Sequence, residues 1–226
     1  MTFEVEQGEA LVFLGSSGSG KTTALRLINR ILDPTSGRIV IDGKDIRQVD
    51  PIQLRRQIGY VIQEFGLLPH WTVRQNVALV PKLQGWPEEK QRQRADELLE
   101  QVGLGEAAIG DRLPHQLSGG QRQRVGVARA LAAEPALLLF DEPYGALDPV
   151  RRNEMQQQFL QIRDRYRLTA VFVTHDLLEA VKVGTRIAIL DSGRLEAIVS
   201  PQEFWRIDTP VAKAFRATLP PELIPV

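Results

Sequence analysis

Eight consecutive residues, Gly15-Ser16-Ser17-Gly18-Ser19-Gly20-Lys21-Thr22, match the spacing G-x-x-x-x-G-K-[ST]. Glycines at these places let the backbone turn tightly and bare its N–H groups, and a helix start beyond them adds partial positive charge. That is a cradle for phosphate. Lys21 is placed to reach the outer phosphates, the Thr22 hydroxyl suits Mg²⁺, and Thr23 follows at the same helix start. A solvated Gly/Ser loop with a chance lysine is the bland alternative. A second group is Leu137-Leu138-Leu139-Phe140-Asp141-Glu142, an apolar run ending in two acids. Asp141 suits a metal held through its water shell, and Glu142 suits a water that must be oriented or deprotonated. Alone, the pair reads equally well as two acids at the turn after a strand; the glycine-rich loop upstream favours the chemical reading.

These groups need elements to hold them. Residues 10–14 read as a buried strand before the loop, and an amphipathic helix follows through about Ile31. Residues 37–41 and 58–62 read as further strands. From about 67 to 133 the strand signal vanishes. Residues 88–102 carry helical spacing, with Ala95, Leu98, Leu99 and Val102 on one face, and residues 121–133 form a second helix stopped by Pro135. Strands return at 136–140, 169–173 and 186–190, and Asp191-Ser192-Gly193 marks a hairpin turn into 195–199. Strands alternating with helices predict an α/β sheet interrupted by a helical lobe.

Leu117-Ser118-Gly119-Gly120-Gln121 narrows the field. Ser118 can cap the helix that follows, while Gly119 and Gly120 leave N–H groups bare for an anion. In this pentapeptide the chain resembles the ABC cassettes, whose signature it is letter for letter, and the resemblance runs over essentially the whole chain. It implies a P-loop NTPase core of residues 1–66 and 134–226, with an inserted helical subdomain at about 67–133, in one ABC ATPase domain. ATP and Mg²⁺ are the implied ligands. Gln63 is implied at the metal and the lytic water, Asp148 in the loop crossing to a second cassette, and His175 at the γ-phosphate. Gly145 stands where many cassettes carry serine, so a serine-dependent contact there is not implied. A lone histidine is more often structural; His175 gains its role from its place after a strand, whereas His70 and His115 have no such support.

The resemblance also implies partners. Two cassettes, copies or homologues, pack head-to-tail, so that each ATP lies between the Lys21 loop of one and the Ser118 turn of the other. Integral membrane permease subunits dock near residues 64–69, where Phe65, Leu67 and Leu68 read equally as hinge packing. A substrate-binding protein participates indirectly. The run Ile58-Gly59-Tyr60-Val61-Ile62-Gln63, with residues 66–73 and Glu142-Pro143-Tyr144-Gly145-Ala146-Leu147-Asp148-Pro149, looks like importers of glycine betaine, choline and proline. The rivals are an importer of another small solute, a non-transport cassette acting on nucleic acid or ribosomes, and a P-loop metabolic kinase. The non-transport proteins typically carry paired cassettes or a long coiled coil, and a kinase has no use for the signature.

Composition sets the outer limits. The 226 residues are 43% hydrophobic and 25% charged, ordinary for a folded domain. Lys+Arg and Asp+Glu balance at 28 each, which removes any bulk electrostatic reason to expect nucleic acid as a partner. No cysteine is present, which excludes disulfides and thiolate chemistry. No apolar run is long enough to cross a bilayer, and the first residues lack the pattern of a signal peptide. The expected location is therefore peripheral, on the cytoplasmic face of the cell membrane. Residues 1–5 resemble the family's second strand, with Phe3 and Val5 facing the core. The family's first strand and its adenine-stacking aromatic are expected to be missing, leaving an exposed edge at 3–5, and no C-terminal regulatory module is expected.

Overall fold

A computed structural model describes residues 1–62, 66–106, 108–145 and 147–224. Its centre is a six-stranded sheet. In chain order the strands are β1 (Ala10–Leu14), the short β2 (Val40–Ile41) and β3 (Lys44–Asp45), β4 (Ile58–Val61), β5 (Leu137–Asp141), β6 (Ala170–Thr174), β7 (Arg186–Asp191) and β8 (Arg194–Val199). The large sheet runs β4-β5-β6-β1-β7-β8, parallel from β4 to β7, with β8 antiparallel at one edge. The helices are α1 (Lys21–Ile28), α2 (Pro51–Arg56), α3 (Val73–Val77), α4 (Leu79–Leu83), α5 (Glu88–Gln101), α6 (Gly119–Leu131), α7 (Pro149–Tyr166), α8 (Leu177–Val183), α9 (Pro201–Phe204) and α10 (Pro210–Ala217).

Apolar residues on both faces of the central strands explain why they lie inside. Every residue of β1 is fully buried. Alternation sends Leu11 and Phe13 to one face, against Leu25 and Ile28 of α1 and Leu54 of α2. Val12 and Leu14 go to the other, with Phe140, Phe172 and Phe159. There the rings of Phe140 and Phe172 stack at 4.2 Å. Between β4 and β5 every regular element among the described residues is helical. One of these, α6, approaches β4 so closely that a Cβ on Gly59 would lie 2.4 Å from the Ala130 carbonyl oxygen.

The register decides what the sheet can present. Leu14 of β1 sits beside Thr174 of β6, and Asp141 of β5 sits beside Val173. Three neighbouring parallel strands thus end together, and residues 15, 142 and 175 leave the sheet at one edge. That carboxyl edge is where open α/β sheets bind ligands.

Four sequence expectations need correction. Residues 1–9 form no strand. Their polar groups find scattered partners in place of a ladder: Glu6 N–H donates to Glu9 Oε2 at 2.8 Å, the Glu4 carbonyl accepts from Arg186 Nη1 at 3.3 Å, and the Glu9 carbonyl accepts from the Ala170 N–H at 2.8 Å. Phe3 does face the core, edge-on to Phe13 at 5.5 Å, and the expected strand edge at 3–5 is not formed. The strand expected at 37–41 shrinks to Val40–Ile41, because Gly37 takes φ +80° and the chain turns back at once through Asp42 (φ +49°) and Gly43 (φ +75°). Helix α1 stops at Ile28 rather than Ile31. Arg30 turns left-handed (φ +50°) and Ile31 N–H bonds back to the Arg26 carbonyl at 2.8 Å. Helix α6 begins at Gly119, two residues before the expected Gln121, because Ser118 is its cap.

Candidate functional site

The loop at 15–20 leaves β1 and enters α1. Gly15 is demanded by space: a Cβ there would lie 2.4 Å from the Leu190 carbonyl oxygen and 2.5 Å from Ser19 Oγ. Gly18 (φ +81°) and Gly20 (φ +94°) supply left-handed turns that a side chain would strain. Ser19 is buried, and its carbonyl accepts the Gly193 N–H at 3.0 Å, so the β7–β8 turn braces the loop from behind. Ser16, Ser17 and Gly18 are exposed at its tip, and Thr23 is exposed on the first turn of α1.

Lys21 folds back into this loop. Its Nζ donates to the Gly15 carbonyl at 2.7 Å, the Ser16 carbonyl at 2.8 Å and Ser19 Oγ at 3.3 Å. Burial pushes the ammonium below its usual range, while the Glu142 and Asp141 carboxylates pull it back up. The lysine is therefore a caged donor whose present acceptors are neutral oxygens, which phosphate oxygens can outcompete.

Asp141 joins the loop to the sheet edge. Thr22 Oγ1 donates to its Oδ1 at 3.1 Å. The other oxygen, Oδ2, accepts from the Tyr60 hydroxyl at 3.3 Å. Burial, and then the neighbouring Asp141 charge, push the Tyr60 phenol up to about 12, so it remains a donor throughout the physiological range. A hydroxyl and a carboxylate touching beside a phosphate cradle form a hard-oxygen donor set that fits Mg²⁺.

Glu142 leaves β5 in a left-handed conformation (φ +47°), and its Oε2 lies 3.3 Å from Nδ1 of His175. His175 is exposed on the turn between β6 and α8, which is closed on both sides. The Asp176 N–H donates to Thr174 Oγ1 at 3.0 Å, and Asp176 Oδ2 pairs with Arg152 Nη1 at 3.0 Å.

The remaining residues singled out from the sequence lie elsewhere. Ser118 and Gln121 form a reciprocal capping box on α6: Ser118 Oγ accepts from Gln121 N at 3.3 Å, and Gln121 Oε1 accepts from Ser118 N at 2.9 Å. The ground beside Gly119 and Gly120 is open. Among the described residues no hydrogen bond or ion pair joins this turn to the loop at 15–23. Instead Gln123, buried on α6, donates through Nε2 to the Pro143 carbonyl just past Glu142. Asp148 caps α7, accepting from Arg151 N at 3.0 Å. Gln63, with Glu64, Phe65 and Ala146, lies outside the described residues.

Sequence reasoning missed Tyr60 as a partner of Asp141. Its signal was weak but present: period-2 alternation puts Ile58 and Tyr60 on the α1 face of β4. What the sequence lacked was the strand order that makes β4 the neighbour of β5.

Comparison with known proteins agrees with this geometry. Residues 1–145 match the family model described as ABC transporter. The chain is 53% identical over 203 residues to the glycine betaine/carnitine/choline transport ATP-binding protein OpuCA of Bacillus subtilis, covering 90% of this chain and 53% of that protein. It is 50% identical over 206 residues to the choline transport ATP-binding protein OpuBA of the same organism, covering 91% of this chain and 54% of that protein. The chain thus spans about half the length of the curated relatives it matches. Among solved structures, the dimeric post-hydrolysis state of the ATP-binding cassette MJ0796 bound to ADP and Pi superposes with a TM-score of 0.77 at 36% identity, covering 88% of each chain. A phosphate-cradling loop at the carboxyl edge of a parallel sheet, the matched family model and the shared cassette architecture together place this chain in the ABC transporter family.

Proposed function

We propose that this chain binds and hydrolyses ATP as the motor subunit of a membrane importer for quaternary-amine osmolytes of the glycine betaine, choline and proline type. One observation carries the ATPase part: Lys21, Thr22, Asp141, Glu142 and His175 converge at the edge where β1, β5 and β6 end together. The named relatives supply the solute class. No helix among the described residues is long and apolar enough to cross a membrane; in this reading permease subunits provide the passage and this chain docks on their cytoplasmic face.

Each step is a change of partner by a group already in place. Phosphate oxygens take Lys21 from the carbonyls of Gly15 and Ser16, and the loop N–H groups of residues 15–22 close around them. Mg²⁺, held by Thr22 and Gln63 and through water by Asp141, would offset the charge of the phosphates. His175 turns from Glu142 to the γ-phosphate. Glu142, released from its 3.3 Å contact, accepts the proton of the attacking water.

The second half of each site comes from a partner cassette. The Ser118 turn has its serine exposed, sits at a helix N-terminus and, among the described residues, makes no bond to its own phosphate loop. A head-to-tail pair puts it on the partner's nucleotide, with Asp148 at the crossing. The helical stretch between β4 and β5 carries the Ser118 turn, and its rotation would pass opening and closing to the permease.

The test is Glu142→Gln. ATP binding should persist while turnover falls by at least about a hundredfold, the scale for losing a positioned base. Cells with this variant as their sole copy should lose uptake of labelled glycine betaine at high salt. Normal turnover refutes the catalytic assignment; lost turnover with unchanged uptake refutes the osmolyte assignment.

A further inference from the structure

One side chain joins two loops of the site, and the chemistry above leaves it idle. Arg152 lies on the first turn of α7, and its backbone N–H closes that turn on the Asp148 carbonyl at 2.9 Å. Its guanidinium forks. Nη1 donates to Asp176 Oδ2 at 3.0 Å, beside His175, and Nη2 donates to the Leu147 carbonyl at 3.4 Å, beside Asp148. Asp176 spends its other oxygen on its own helix, where Oδ1 accepts from the Glu179 N–H at 3.1 Å. The Asp176 N–H donates to Thr174 Oγ1 at 3.0 Å. The turn that carries His175 is thus fixed to β6 and α8 by its own bonds, and to α7 by Arg152.

An ion pair between two helices is the plain account, and a partly exposed pair of this kind adds little to stability. Two observations argue for more. The Arg152 Nε is buried with no hydrogen-bond partner among the described residues, a cost that a pair serving stability alone would shed by turning toward water. Helices α7 and α8 are also tied at their other ends, where Arg163 Nη1 donates to the Val183 carbonyl at 3.0 Å. What Arg152 adds is therefore a matter of place: it joins the loop leading to Asp148 to the turn bearing His175.

We propose that Arg152 is a positioning residue that ties the His175 turn to the loop before Asp148, so that the two are set together. The inference rests on the ATPase reading of this site. A guanidinium suits the task, because its planar fork reaches two acceptors in fixed directions, whereas an ammonium acts as a point charge. When His175 turns from Glu142 to the γ-phosphate, the backbone beneath it must stay in place. Arg152 acts through that backbone rather than on nucleotide, so its loss belongs in turnover and not in ATP affinity.

Arg152→Met keeps the apolar stem and removes the fork. Asp176→Ser keeps a cap for α8 and removes the oxygen that Arg152 holds. Each should lower kcat, counted per ATP bound, by about five- to tenfold with KM for ATP within about twofold, the scale of one partly exposed charge-assisted hydrogen bond. Counting per bound ATP removes unfolded chains from the comparison. The double variant should lose no more than about twofold beyond the worse single, since both changes cut one bond. Arg152→Lys should recover part of the loss. Arg163→Met, which cuts the tie at the far ends, should lower the melting temperature and leave kcat per bound ATP unchanged. The imidazole NMR signal of His175, one of three histidines and identified by its loss in His175→Ala, gives a readout independent of turnover. It should move in Arg152→Met and Asp176→Ser and stay in Arg163→Met. Asp148→Ala should move it in the wild-type background and not in Arg152→Met. A kcat loss in Arg163→Met equal to that in Arg152→Met, losses that multiply in the double variant, no recovery in Arg152→Lys, a His175 signal indifferent to Arg152, or an Asp148→Ala shift equal in both backgrounds each overturns the proposal. If the wild type hydrolyses no ATP, the ATPase reading fails, and the His175 signal still decides whether Arg152 holds the turn.

Discussion

Replacing Gly59 by alanine should separate nucleotide binding from turnover. Gly59 lies in β4 opposite Leu138 of β5, under the C-terminal end of α6. An added Cβ would lie 2.4 Å from Leu138 Cδ2 and 2.4 Å from the Ala130 carbonyl oxygen. The leucine can rotate away, but the carbonyl belongs to the helix backbone. Restoring ordinary contact at 3.4 Å requires α6 to lift by about 1 Å. Overpacking of this kind costs about 1–3 kcal/mol, which lowers the melting temperature by roughly 2–12 °C for a domain of this size. The Ser118 cap sits at the far end of α6, about 20 Å away along its 13 residues. Displacing one end tips the other. The atoms nearest a Cβ at Gly59 belong to Ala130 and Leu138, not to the phosphate loop, so ATP affinity should stay within about twofold of wild type, while turnover should drop more steeply under the head-to-tail pairing proposed above. Thermal unfolding, ATP titration and steady-state ATPase on one preparation decide it. A melting temperature within 1 °C of wild type would refute the steric argument, and an equal loss of ATP affinity would refute the separation of the two functions.

Tyr60→Phe deletes only the hydroxyl that holds Asp141 Oδ2, and should raise the Mg²⁺ concentration for half-maximal turnover by about three- to tenfold; an unchanged Mg²⁺ requirement would remove Tyr60 from the site. Mixing a Lys21→Ala chain with a Ser118→Arg chain should restore ATPase activity to about a quarter of wild type, since half the dimers then carry one intact site of two. Each variant alone should be inactive, and a mixture as inactive as its components counts against the head-to-tail pair.

The parts of the fold readable in the sequence are those in which one local signal settles the structure. Strand β1 is an apolar run ended by a glycine that has no room for a side chain, and β7 and β8 are joined by a turn whose Ser192 (φ +46°) and Gly193 (φ +76°) accept left-handed backbone. The Ser118 cap was legible because its partner Gln121 is three residues away. What was illegible depended on distant neighbours. Arg30 ends α1 without being a glycine, and its guanidinium reaches across to the carbonyls of Ile46 and Val49 at 3.1 and 2.8 Å. Residues 3–5 alternate as a strand should, but among the described residues no strand pairs with them, and alternation alone makes no ladder. At the site, Thr22 and Asp141 each carried a local motif, whereas the Tyr60–Asp141 contact follows only from strand order.

Among the described residues, Lys21, Thr22 and Glu142 each already have a protein partner where phosphate, metal or water would stand. Lys21 holds carbonyl oxygens where phosphate oxygens would stand, Thr22 holds a carboxylate oxygen, and Glu142 faces the His175 ring. Such a network keeps polar groups satisfied without ligand, and it makes binding an exchange whose net gain is small per bond. The charges set the direction of that exchange. Burial pushes the Lys21 ammonium below its usual range, Glu142 and Asp141 oppose that push, and the same two acids repel an incoming polyphosphate. A divalent cation held by Thr22 and Asp141, as proposed above, would turn that repulsion into attraction. Glu142 lies one residue further on and is tied to His175, so it keeps an acceptor free for water. Two adjacent acids at one strand end thus acquire different work from what each touches: Asp141 is held by two hydroxyls, and Glu142 by a ring that can turn away.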